Sequence, residues 1–417
     1  MVIKRDYYLN QLIAGQHNGL IKIITGLRRS GKSYLLFRLF YTYLREKGIP
    51  DDHIIKIDLE DRHNMKIRNP DALMAYVDSR ITDKRMYYIL LDEIQHVKEF
   101  EDVLNSYLKT ENTDIYVTGS NSKFLSTDII TEFRGRGDQI HVYPLSFAEY
   151  MSVIDLHPSE AWRDYYTYGG LPHILSLDTD KKKGNYLKDL YSTVYISDIV
   201  ERYNIKGKTE LNELIHVIAS SIGSPTNPNK LANTFKSVKN VTLTNKTINN
   251  YLSYLCEAFL TEKAIRYDIK GKKYINTLAK YYFSDIGIRN AILDFRQQEE
   301  NHIMENIIYN ELRIRGFQVD IGMVEHRTTD KEHKTIRKQY EVDFVANLGS
   351  QRFYIQSAFA IPDDTKERQE SNSLLNINDS FKKIIIVKDN IKPKRNTDGI
   401  VTIGLFDFLL NQDSLNW

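Results

Sequence analysis

Eight consecutive residues, Gly26-Leu27-Arg28-Arg29-Ser30-Gly31-Lys32-Ser33, carry the pattern G-x-x-x-x-G-K-[ST], which spaces two glycines, a lysine and a hydroxyl to surround a phosphate chain. Gly26, Arg29, Ser30 and Gly31 would present backbone N–H groups to the anion. Lys32 would reach the β- and γ-phosphates of a nucleoside triphosphate, and Ser33 would offer its hydroxyl to Mg2+, a cation that prefers oxygen ligands. The bland alternative is a Gly/Ser turn on a basic surface. A second pair of residues points to the same chemistry: Asp92 is placed to complete the metal shell and Glu93 to polarise an attacking water as catalytic base. Ser120 and Asn121, at the end of a later apolar run, are candidates to bond that water or the γ-phosphate. The basic stretch Phe133-Arg134-Gly135-Arg136-Gly137 supplies an arginine, Arg136 above all, that reads either as a finger toward a neighbouring subunit's nucleotide or as a solvated basic turn.

These residues need a parallel sheet to position them. The run Leu20-Ile21-Lys22-Ile23-Ile24-Thr25 predicts a buried strand before the phosphate loop, and 34–46 has the apolar spacing of a helix whose positive end faces the anion. Further strands are predicted at 52–59, 85–93, 114–121 and 139–144. The 52–59 run lies between the loop and the acidic strand in the sequence, and an inserted strand with a catalytic Glu suggests the hydrolysing branch of P-loop proteins. The 133–137 loop is expected to open near the same sheet edge as the phosphate loop.

On these motifs, together with Leu91-Asp92-Glu93-Ile94-Gln95, Thr118-Gly119-Ser120-Asn121-Ser122, Tyr143-Pro144-Leu145-Ser146-Phe147 and Tyr168-Gly169-Gly170-Leu171-Pro172, the chain resembles bacterial and archaeal AAA-type ATPases joined to a C-terminal restriction-endonuclease-like domain of unknown function. The resemblance spans nearly the whole chain. It implies that Lys32 and Ser33 bind nucleotide and magnesium, that Asp92 completes the metal site, that Glu93 is the hydrolytic base, and that Arg136 stands where the family has its Gly-Arg pair. It says little about what the energy of hydrolysis is used for.

The expected fold class is α/β: a P-loop AAA-type parallel-sheet domain over 1–155, a helical lid over 156–206, a winged-helix domain over 207–292 and a restriction-endonuclease-like α/β domain over 293–417. Helical patterns over 159–168 and 186–203 flank the break Gly169-Gly170-Leu171-Pro172, and Lys181-Lys182-Lys183-Gly184 reads as a solvated turn. Helices are predicted over 211–222 and 228–235, and Thr244 caps a third that buries Ile248, Leu252, Leu255 and Phe259 and displays Lys246, Asn249, Asn250 and Ser253. That face and the basic hairpin tip around Lys270, Lys272 and Lys273 suit DNA, although winged helices serve equally as packing modules. In the last domain Glu305, Glu311 and Asp343 stand where a metal-dependent nuclease would carry acids. The next strand has Gln356 and Ala358 where the resemblance implies a Glu and a Lys in members that keep a nuclease-like site, so cleavage is expected to be absent or vestigial.

With 417 residues, 41% of them hydrophobic and 27% charged, the chain should fold into on the order of two or three domains. It has no apolar run approaching about 18 residues and no signal-type N-terminal stretch, so a cytoplasmic protein without a membrane anchor is expected. Cys256 has no partner for an intramolecular disulfide, and the 11 histidines lack zinc-ligand spacing. A formal net charge of +2 demands no nucleic acid, so DNA, a protein partner and further copies of the chain all remain open as partners. Two readings of the whole follow: an ATP-hydrolysing enzyme that rearranges a bound partner, or a nucleotide-gated binding module in which turnover is incidental.

Overall fold

The apolar runs flanking the phosphate loop form five parallel strands: β1 (Ile21–Thr25), β2 (Ile54–Asp58), β3 (Tyr87–Asp92), β4 (Thr113–Thr118) and β5 (Gly137–His141). The computed structural model describes residues 2–119, 133, 135–239, 243–329, 335–361 and 363–417. Their order in the sheet is β2-β3-β4-β1-β5. The 52–59 run is therefore not the inserted strand; it forms the outer strand beside β3, while β4 separates the loop-bearing β1 from the acid-bearing β3. Sequence order cannot reveal this, because parallel strands are joined by crossovers of any span.

Both faces of this sheet are covered, which explains why β1 and β3 are apolar almost throughout. Along β3 the side chains alternate between two cores: Tyr87, Ile89 and Leu91 pack with Ile21, Ile23, Phe100 and Leu104, whereas Tyr88 and Leu90 pack with Tyr8, Leu12, Leu35 and Phe40. The helix after the phosphate loop begins at Lys32–Tyr34, widens to a π-helical stretch at Leu35–Phe40 and continues as Tyr41–Glu46. It puts Leu35, Leu36, Phe40 and Leu44 into the second core. These elements form one compact unit, Met1–Leu145 with Leu171–Ser176 and Glu257–Phe259.

The other unit comprises Ser146–Gly170, Leu177–Cys256 and Leu260–Trp417. Its helix Pro158–Tyr168 ends at Gly169, whose φ of +76° and surroundings both demand glycine: a Cβ there would lie 2.3 Å from the Asp285 carboxylate. Asp285 caps the helix Ile286–Ile292 through the Ile288 N–H at 3.0 Å and also accepts the Gly170 N–H at 2.8 Å. The Lys181–Gly184 stretch is helical, not a turn; it lies within Asp180–Leu190, which Thr179 caps, and Lys183 pairs with Asp164 at 2.8 Å. A good N-cap outweighs the single Gly184.

Helices Lys208–Ser220 and Pro228–Lys239 overlap the predicted 211–222 and 228–235, and Thr244 accepts the Thr247 N–H at 3.1 Å at the start of Asn245–Glu257, which ends short of Phe259, whose φ is +57°. The basic hairpin, β6 (Thr261–Asp268) and β7 (Lys273–Phe283), does not stand alone. It continues into β8 (Gln318–Thr329), β9 (Thr335–Leu348), β10 (Gln351–Ala358), β11 (Lys382–Val387), β12 (Lys394–Arg395) and β13 (Val401–Gly404), in the order β12-β13-β11-β10-β9-β8-β6-β7. β6 pairs in parallel with β8, and Lys270 Nζ donates to the Glu325 carbonyl at 2.8 Å.

Candidate functional site

Gly26 leaves β1 with φ +137° and passes so close to the neighbouring chain that a Cβ would lie 2.1 Å from the Val142 carbonyl oxygen. Only glycine turns the backbone back here, and the loop then hands over directly to the helix that starts at Lys32. The side chain of Lys32 is buried and donates to the carbonyls of Gly26 and Leu27, each at 3.1 Å. Burial, opposed chiefly by Glu93 and then Asp92, pushes its ammonium down to about 8. Its charge is thus held by two neutral dipoles of its own loop, which an incoming phosphate oxygen can replace.

Asp92, the last residue of β3, accepts the hydroxyls of Thr118 and Ser33. Burial raises its carboxyl to about 6; those two hydroxyls oppose the rise, and Glu93 and Asp58 add to it. Ser33 and Asp92, the two residues expected to share a magnesium ion, are therefore already joined. A hard, six-coordinate cation that keeps most of its water fits this hydroxyl–carboxylate pair and the glycine-lined cradle beside it.

Glu93 explains how two adjacent acids serve one site. In an extended strand their side chains would point to opposite faces. Here Glu93 adopts φ +52°, a left-handed conformation costly for a side-chain-bearing residue, and both carboxylates act on Lys32. The turn is held by the Glu93 N–H, which donates to Thr118 Oγ at 3.0 Å, while Gln95 donates to the Glu93 carboxylate. Thr118, at the end of β4 and fully buried, thus touches both acids. The polar strand end was expected to act through Ser120 and Asn121; both lie outside the described residues, as does Arg134.

Two further residues brace the loop. Arg5 donates to the Ser30 carbonyl at 3.1 Å and to the Tyr143 carbonyl at 2.7 Å, with its guanidinium 4.6 Å from the Tyr8 ring centre. Arg28 pairs with Glu60 at 2.9 Å. Arg5 has no sequence signature, since its carbonyl partners are set by the fold; Thr118 has one, as the polar, β-branched last residue of a strand.

Arg136 is not at this edge. Gly137 pairs with Ile21, the first residue of β1, and the Arg136 carbonyl accepts the Ile21 N–H at 2.9 Å. In a parallel sheet that end lies a full strand from the phosphate loop, roughly 16 Å at about 3.3 Å per residue. Arg136 therefore does not stand at the phosphate-loop edge of the sheet, where its loop was expected to open. Arg136 is exposed and its Nη1 lies 3.4 Å from Asn105 Oδ1.

In the other unit, Glu305 and Asp343 do meet: burial first, then Glu305, pushes the Asp343 carboxyl up, and the Ser357 N–H donates to Asp343 Oδ2 at 2.8 Å. Glu311 does not join them. It pairs with Arg315 at 2.8 Å, nearly two turns along the helix Glu300–Ile314. Gln356 accepts from Ser373 at 3.2 Å, and Ala358 is part of the hydrophobic core.

Residues 18–151 match an AAA domain, and residues 159–299 match a Domain of unknown function (DUF8612). An uncharacterized protein of Haemophilus influenzae is 33% identical over 415 residues, covering 98% of this chain and 99% of its own. One from Methanocaldococcus jannaschii is 28% identical over 380 residues, 88% of this chain and 80% of its own. Among solved structures, the Walker-type ATPase of Pyrococcus abyssi shares the fold at a TM-score of 0.51 and 16% identity, over 70% of this chain and 96% of that one. Among the described residues no helix is long and apolar enough to cross a membrane. Near end-to-end likeness to the Haemophilus protein and the AAA match over the phosphate-loop sheet lead to one conclusion: the chain belongs to the AAA-type, nucleotide-binding P-loop ATPase family that carries a C-terminal domain of unknown function.

Proposed function

We propose that the protein hydrolyses ATP to ADP and phosphate with Mg2+ and couples the cycle to rearrangement of a bound partner. The observation that carries this reading is the left-handed turn at Glu93, which swings a second carboxylate toward Lys32 beside Asp92. A protein that only bound nucleotide would need Asp92 and no strained acid next to it. Lys32 and the loop amides hold the phosphates, Ser33 and Asp92 hold the metal, and Glu93 accepts the proton of the attacking water. Magnesium bound there would neutralise the phosphate oxygens. Thr118 fixes the angle between the two acids and is a positioning residue.

The partner reading is DNA. Lys246, Asn249, Asn250 and Ser253 lie on the exposed face of the helix Asn245–Glu257, as a groove-reading helix of a winged-helix domain requires. Lys270, Lys272 and Lys273 are exposed at the hairpin tip. The helix Glu300–Ile314, the β8-β9-β10 meander and the parallel β10-β11-β13 strands suit a restriction-endonuclease-like fold, read here as a binding domain that does not cut. The deciding experiment measures ATP turnover of the wild type and Glu93→Gln, with and without duplex DNA, single strands and RNA. Hydrolysis that Glu93→Gln abolishes while ATP still binds, and that DNA stimulates, is the expected result. Turnover unchanged in Glu93→Gln would move the protein to the nucleotide-gated binding module.

A further inference from the structure

The acids Glu305, Glu341 and Asp343 lie close together in the C-terminal unit, and a lysine from a distant part of the sequence enters among them. Lys280, on β7, places Nζ 3.0 Å from Glu305 Oε1 and 2.8 Å from Glu341 Oε1, and its side chain is only 3% exposed. Its ammonium also feels the Asp343 charge. Two further donors reach the carboxylates. Tyr282 OH donates to Glu305 Oε1 at 2.7 Å, and the Ser357 N–H donates to Asp343 Oδ2 at 2.8 Å.

The cluster is also covered at its Glu305 end. Gly223 passes over it so closely that a Cβ would lie 2.9 Å from Glu305 Oε2 and 3.1 Å from His302 Nδ1. The backbone is pinned there by the Thr226 N–H, which donates at 2.8 Å to the carbonyl of Ala279, the residue before Lys280. Among the described residues, no group of three or more His, Cys, Asp or Glu side chains is arranged to hold a metal ion.

Buried carboxylates at this density need a positive charge to be stable. A divalent ion is one solution, and it requires converging oxygens and an entry path. We propose that Lys280 is the built-in cation of this cluster: its ammonium pairs with Glu305 and Glu341 beside Asp343 and takes the place of a divalent metal, and residues 221–226 cover the Glu305 end of the site. The C-terminal unit is then a metal-independent scaffold, whose charge balance is supplied by the hairpin that joins it. This inference stands apart from ATP hydrolysis and from the choice of partner.

The test uses the full-length, nucleotide-free chain titrated with Mn2+ and followed by electron paramagnetic resonance. Wild type and Asp343→Asn should bind Mn2+ identically. Lys280→Ala should gain a Mn2+ site, with affinity roughly tenfold or more above any wild-type binding, that disappears again in the Lys280→Ala, Asp343→Asn double variant. Wild-type Mn2+ binding that Asp343→Asn abolishes would overturn the proposal, and so would a folded Lys280→Ala chain that gains no site. If Lys280→Ala does not fold, the wild type and Asp343→Asn decide the question between them.

Discussion

The phosphate-loop unit and the C-terminal unit each bring a buried lysine to buried acids, and the two arrangements behave in opposite ways. Lys32 donates to the carbonyls of its own loop, while Asp92 and Glu93 act on it through their charge. Burial is therefore incompletely compensated, and its ammonium is pushed down to about 8. Lys280 bonds directly to Glu305 and Glu341, and burial, which alone would lower its proton affinity, is outweighed by Glu305, Asp343 and Glu341, so that it is raised. A lysine held by neutral dipoles is ready for an anionic ligand; one held by carboxylates already has its counter-charge. The first arrangement recruits, and the second stabilises.

That contrast can be broken most directly at the acids. Glu93→Gln should lower ATP turnover by roughly 10²- to 10⁴-fold, the range for loss of a general base, with ATP binding retained in a filter or fluorescence assay. The two lysines should then fail differently. Lys280→Ala should cost about 3–5 kcal/mol in urea unfolding, because it leaves buried carboxylates unpaired. Lys32→Ala should weaken ATP binding roughly 100-fold while shifting unfolding by no more than about 1 kcal/mol. If both substitutions chiefly reduced stability, the division between a recruiting and a stabilising lysine would be wrong.

Smaller effects sharpen the picture. Thr118→Val removes the hydroxyl that holds both Asp92 and the Glu93 amide, so turnover should fall by about tenfold, with a smaller change in ATP affinity; equal changes in both would point to a purely structural threonine. Replacing Lys270, Lys272 and Lys273 together by Ala should reduce the steepness of the salt dependence of duplex DNA binding by about one unit for each of these lysines that neutralises a phosphate. An unchanged slope would remove the hairpin from the DNA reading. The bond from Lys270 to the Glu325 carbonyl makes it the least available of the three.

Local chemistry was legible where a motif is contiguous. The loop from Gly26 to Ser33, the acid pair at the end of β3 and the cap at Thr244 all stand where their residue types predict. Strands β1 and β3 were legible as well, because burial on both faces leaves an unbroken apolar run. What misled was adjacency. The 52–59 strand seemed inserted because it follows the loop in sequence, yet β4 takes that place. Arg136 was expected near the phosphate-loop edge of the sheet, yet it precedes a parallel strand that begins at the opposite edge. Glu311 seemed a partner of Glu305, yet Arg315 on the next turn takes it.

The sequence by itself determined the phosphate-binding loop and the acids that accompany it, since each depends on residue type at short, fixed spacing. Only the tertiary structure decided that Thr118 aligns Asp92 with Glu93, that Arg5 braces the loop at Ser30, and that Lys280 enters an acid cluster formed far along the chain. Those interactions join residues from 25 to 61 positions apart. They arise from strand order and register, which are set by the packing of the whole sheet and leave no mark at any one position.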